Sequence, residues 1–167
     1  MSSFDLEQLF CSLDARVDWK ALRQMLSERW QLGALHGVSH WDRVLCNGLQ
    51  LAGPGVNRTV VACFAYLHDS CREDDCDDLQ HGPRAASWMV SLRGSWLSGL
   101  TDEEFDLLQR AVRDHTLVQS TGNLTIDTCF DADRLDLTRS GIIPDPSRMA
   151  SPAGVRAAEE IARRVFR

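Results

Sequence analysis

Histidines and aspartates recur in this chain where apolar residues would be expected. His36 and His40 stand four residues apart in "HGVSHWDRV", His68 and Asp69 are adjacent in "AYLHDS", and "DADRLD" carries Asp131, Asp133 and Asp136. Imidazole and carboxylate are the ligands of choice for divalent metals, and neither is buried without cost unless it is paired, hydrogen-bonded or metal-bound. The surrounding pattern decides whether they are buried.

On a helix, residues at i, i+3, i+4 and i+7 share a face. Val61, Phe64 and His68 fall on one such face, with Ala62, Ala65 and Asp69 alongside. Phe105, Leu108, Val112 and His115 align in the same way, as do Ile126, Phe130, Asp133 and Leu137, which leaves Asp131 and Asp136 off that stripe. Three helices thus each turn a His or Asp toward the core, and His40 adds a fourth contributor. A set of two imidazoles and two carboxylates drawn from these suits Mn, Fe, Co, Ni, Mg or Zn, and four ligands leave room for water and substrate. Core polar groups satisfied by hydrogen bonds fit the same spacing, so the residues alone leave both readings standing.

The elements that must position these groups are helices. The sequence has no alternating β-branched runs and no Asn-Gly or Asp-Gly hairpin turns. Helices are expected from Phe4 to Leu13 and from Trp19 to Trp30, the second capped by Asp18. Ser39 should cap a third carrying His40 to Leu51, which Gly53–Gly55 terminates, and Asn57 a fourth through His68. Pro83 suits the first turn of a helix running through Trp88 to Leu92, and Thr101 with Glu104 forms a capping-box start for a helix through Val118. Ile126–Leu137 and Ala153–Phe166 complete an all-α bundle, with residues 1–167 as one domain. The acidic stretch Cys71–Gln80 reads as a mobile loop that gates the site.

Composition narrows the partners. A net charge of -6 disfavours stable nucleic-acid binding and adhesion to anionic membrane. No basic start with an apolar run marks a signal peptide, and no stretch is long enough to span a bilayer. The six cysteines include no C-x-x-C pair, so free thiols in a cytoplasmic protein are expected. Trp19, Trp30, Trp41, Trp88 and Trp96 read chiefly as packing residues.

"HWDRV" (His40–Val44), "LHDS" (Leu67–Ser70) and "DADRLD" (Asp131–Asp136) together resemble the motifs of the HD-domain superfamily, over about residues 36–146. The longer strings HGxxHWxRV from His36, HDS…HGxRAA from His68 and DADRLDL…GIxPDP from Asp131 look like those of a small bacterial subgroup. The resemblance implies a helical phosphohydrolase in which His40, His68, Asp69 and Asp133 hold one divalent ion rather than two. Asp69 and His68 would be catalytic, and metal-bound water would attack a small phosphorylated metabolite, foremost a nucleotide. Some members add two histidines for a second ion, and His81 and His115 stand in that order, as second-metal ligands or phosphate contacts. Some place a working carboxylate soon after the His-Asp pair, where Glu73 stands. Arg43, Arg72, Arg84 and Arg134 flank the motifs as candidate phosphate clamps, since guanidinium matches phosphate bidentately, and His36 is a candidate proton donor or phosphate contact at the rim. A di-iron oxygenase on the same scaffold, and a nonenzymatic metal- or nucleotide-binding sensor, are the competing readings.

Overall fold

The computed structural model describes residues 3–165, and side chains over 6–165. It is all-helical, with no strand among the described residues. The helices are α1 (Ser3–Cys11), α2 (Trp19–Arg29), α3 (Val38–Leu51), α4 (Arg58–Leu67), α5 (His81–Trp88), α6 (Asp102–Asp114), α7 (Leu124–Leu135) and α8 (Pro152–Val165). Short 3-10 segments follow α5 and α7 and precede α8. Phe166, expected as the end of the last helix, lies outside the described residues.

The bundle is built around α4. Every residue from Thr59 to Leu67 is buried, because α3, α6 and α7 all pack against this helix. A helix apolar on all sides belongs in a core, and "VVACFAYL" is one. Trp41 is also wholly buried, edge-on to Trp30, so it packs rather than lining a stacking pocket. The described residues contain no helix long and apolar enough to cross a membrane. No disulfide joins the described cysteines, and Cys63 and Cys129 are buried.

The caps sit largely where the side chains dictate. Asp18 accepts from Ala21 N, Asn57 from Thr59 and Val60 N, and Thr101 with Glu104 closes a capping box. Helix α3 differs: it begins at Val38 from Gly37, and Ser39 lies inside its first turn. Gly37 runs beneath the Trp30 indole, where a Cβ would come 2.9 Å from Nε1, so packing rather than a hydroxyl cap fixes the start. Helix α7 begins at Leu124 on an Asn123 cap and stops at Leu135, before the expected Leu137. The chain then tightens into a 3-10 segment, Asp136–Ser140, closed by Gly141 at φ 73°.

One charged knot ties the first helices to the bundle. Glu104 accepts both Arg16 Nη1 and Nη2 at 2.9 Å, Thr101 N at 2.9 Å and Asn57 Nδ2 at 3.1 Å. The Arg16 guanidinium, against the cost of burial, holds the Glu104 carboxyl down to about 2. A carboxylate depressed in the folded state stabilises above its unfolded value, roughly 4.3, and that contribution fades as pH falls through the folded one. Wild type should therefore lose Tm between about pH 4.5 and 2 more steeply than Glu104→Gln. Parallel Tm-against-pH curves for the two proteins would contradict this role.

Candidate metal centre

The candidate ligands lie where helix ends meet. His68 is the C-cap of α4 and His115 that of α6, while Asp133 lies in the last turn of α7. His40 is in the first turn of α3, and His81 opens α5. Three C-terminal ends bring partial negative charge to this region, which favours a cation. Close approach of α5 to the end of α6 depends on Gly82, whose Cβ would lie 2.6 Å from Val112 O. Without that contact His81 and His115 would not meet.

The donors form two buried groups, His40–His68–Asp69 and Asp69–His81–His115, with Asp69 in both. In the first group His40 Nε2 and His68 Nε2 are 3.1 Å apart, and Asp69 Oδ2 lies 3.4 Å and 3.5 Å from them. Asp133 Oδ1 joins it at 3.3 Å from His40 Nε2 and 3.7 Å from His68 Nε2. In the second, His81 Nε2 lies 2.8 Å from His115 Nε2 and 3.0 Å from the other Asp69 oxygen, Oδ1. Donors about 2.0–2.2 Å from a shared centre are roughly 3–3.5 Å from one another, so both groups have the spacing of a coordination shell.

Hydrogen-bond accounting fixes what the rings present. His68 Nδ1 faces the carbonyls of Phe64 and Ala65, both at 3.2 Å, and His115 Nδ1 faces Val112 O at 2.8 Å. His81 Nδ1 faces Asp78 O, and His40 Nδ1 lies 2.7 Å from Asp136 Oδ2. Carbonyls and carboxylates only accept, so each Nδ1 must carry the proton. Each Nε2 is therefore the nitrogen left to take a metal ion or a second proton, and the four face each other in pairs. Such an arrangement repels itself unless a cation or proton lies between.

The protonation tendencies agree. Burial opposes charging His40, yet Asp133, Asp136 and Asp69 outweigh it and raise the ring to about 10. One proton can thus relieve the first facing pair when no ion is there. The second pair has no such outlet at His115, which burial and the neighbouring His68 push down to about 4. Burial would raise the Asp69 carboxyl, but His68, His40 and His81 hold it well below its ordinary value. Asp133 is likewise depressed, chiefly by His40 against the cost of burial. Buried histidine and aspartate clusters here could hold a metal ion.

The other candidates each have partners of their own. Arg43 Nε and Nη2 fork onto Asp136 at 2.7 Å and 3.1 Å. Arg72 Nε braces Asp69 Oδ1 at 3.1 Å, and Arg84 binds Cys71 O and Asp78. Arg134 is spent on the carbonyls of Val118, Gln119 and Arg148. Glu73 is largely exposed and lies 3.4 Å from Arg84 Nε. Arg72, Glu73 and Arg84 share a cleft of about 480 Å3 with Trp30, Ser70 and Trp88. His36 is at the rim, its ring edge-on to His40 with centroids 6.2 Å apart and its Nδ1 3.0 Å from Asp75. The Cys71–Gln80 segment is braced internally, by Glu73 N on Asp78 and Cys76 N on Asp74, rather than hanging free.

Two aspartates read as off the stripe are in fact buried. Asp131 accepts from Ala150 N at 2.6 Å and Ser151 N at 2.8 Å, which anchors the entry to α8. Asp136 holds His40. Comparison of the chain with family models, with curated proteins and with solved structures returns no match.

Proposed function

We propose that this chain is a metal-dependent phosphohydrolase of HD-domain type that holds two divalent ions and acts on a small phosphorylated metabolite, foremost a nucleotide. The observation that carries the reading is the set of four inward Nε2 atoms arranged about Asp69, one carboxylate oxygen toward each pair. His40, His68, Asp69 and Asp133 would hold one ion, and Asp69, His81 and His115 the other. Ions held by these residues would supply an acidified water and a Lewis acid for a phosphoryl oxygen, the chemistry of displacement at phosphorus.

The protein's own groups divide the remaining work. Asp133 is the one ligand with a substantially exposed side chain, 25%, so the open edge for substrate lies on its side. Arg72 fixes the Asp69 carboxylate. His36, lowered by burial, is neutral at pH 7; donating Nδ1–H to Asp75 leaves Nε2 to accept a proton at the rim. The resemblance of the His40, His68–Asp69 and Asp133 motifs to the HD-domain superfamily supports phosphorus chemistry over other uses of the same ligands. The charge of -6 favours mononucleotides over duplex DNA.

A panel of mononucleotides, phosphomonoesters and phosphoanhydrides, each tried with Mn, Co, Fe, Ni, Mg and Zn, tests the proposal. Chelation should remove turnover and Mn or Co restore it. Silence across the panel contradicts it. A second reading, di-iron oxygenase chemistry, is favoured by the same meeting of His81 and His115 on Asp69. Panel silence with two bound irons would select it, and silence with a tightly held nucleotide would select a sensor.

A further inference from the structure

His40 differs from the other three inward histidines in what stands behind it. Main-chain carbonyls receive Nδ1–H from His68, His81 and His115, whereas a buried carboxylate, Asp136, receives it from His40. Asp136 is itself held in place by the Arg43 fork, with Arg139 Nη1 3.6 Å from Oδ2. A carboxylate acceptor locks the ring more firmly than a carbonyl and pushes electron density toward the ligating nitrogen.

We propose that Asp136 is a positioning residue that acts through His40 and makes the two subsites unequal, so that ions bind in order. The inference rests on the two-ion reading above. The first subsite has two carboxylates, Asp69 and Asp133, with Asp136 behind it. The second has only Asp69, whose charge is already shared once the first subsite fills. Asp136 and Arg43 therefore belong to one device, and Arg43 serves the metal centre from behind.

The test titrates the chelated full-length chain with Zn2+ by calorimetry at fixed pH. Wild type should show two unequal steps. Asp136→Asn keeps an oxygen for Nδ1–H but removes the charge, so the tighter step should weaken by about 10–100-fold while the looser one barely moves. In the zinc-loaded protein, the His40 Nδ1–H resonance should shift upfield in the variant. A general loss of packing would instead weaken both steps together, and that result, or an unchanged tighter step, overturns the proposal. Wild type that binds two ions while Asp136→Asn matches it contradicts only the role of Asp136; wild type that binds none contradicts the metal reading itself. If Asp136→Asn does not melt cooperatively, Arg43→Gln decides, since the Arg43 side chain is 42% exposed and its loss spares the core. A weakened tighter step there supports the device, and an unchanged one overturns it.

Discussion

Asp69→Asn should strip metal from both donor groups at once and lower turnover about a thousandfold or more. Asp69 is the one residue whose two oxygens face different histidine pairs, so its loss removes a charged ligand from each. Metal-based charge stabilisation is worth several kcal/mol, and each 1.4 kcal/mol or so is tenfold in rate. His81→Ala is the informative partner. It breaks only the second group and should leave one ion per chain, measured by metal analysis after dialysis. Equal metal content in Asp69→Asn and wild type would show that the bridging position is incidental. Loss of both ions in His81→Ala would show that the groups are not separate.

Asp133→Ala and Asp131→Ala should fail in opposite ways, although the residues are two apart on the same helix. Asp133→Ala removes an anionic donor 3.3 Å from His40 Nε2 and should cost the first ion and the activity while leaving a cooperative melt of the chelated protein. Asp131→Ala should retain metal. It orphans the Ala150 and Ser151 N–H groups at the entry to α8, at roughly 1–3 kcal/mol for each group left without a partner. At this chain length the sum corresponds to a Tm drop of roughly 4–24 °C. Metal retained in Asp133→Ala, or lost in Asp131→Ala, would reverse the assignment of these two carboxylates.

The same pair shows where the sequence was legible. Helical periodicity along Val61–His68 and Phe105–His115 correctly turned both histidines inward, because these helices have one regular pitch and a strong apolar stripe. Caps at Asp18, Asn57 and Thr101 were readable because a single side chain supplies each. Periodicity failed in "DADRLD" for two different reasons. The stripe drawn through Leu137 passed over Asp136, which stands three residues after Asp133 on nearly the same face and reaches His40, while the helix itself stops at Leu135. Asp131 looked peripheral because a single stripe allows only one buried face, whereas α8 covers another.

The arginines illustrate a different limit. Type and proximity made Arg43, Arg72, Arg84 and Arg134 phosphate candidates, and nothing in local spacing announces a distant acceptor. Arg43 finds Asp136 across 93 positions, and Arg134 finds carbonyls that only the fold brings near. The meeting of His81 with His115 was legible as chain order but not as geometry, since it depends on the bare backbone of Gly82 against Val112.

The most direct test of the central claim, that these buried histidines and aspartates are a metal centre, is anomalous diffraction from crystals of the protein reloaded with Mn2+ or Zn2+. Two peaks are predicted, one bounded by His40, His68, Asp69 and Asp133 and the other by Asp69, His81 and His115, with Asp69 contributing an oxygen to each. Metal-loaded crystals with no anomalous density between these side chains would contradict it, and would leave the facing imidazoles to be explained by shared protons alone.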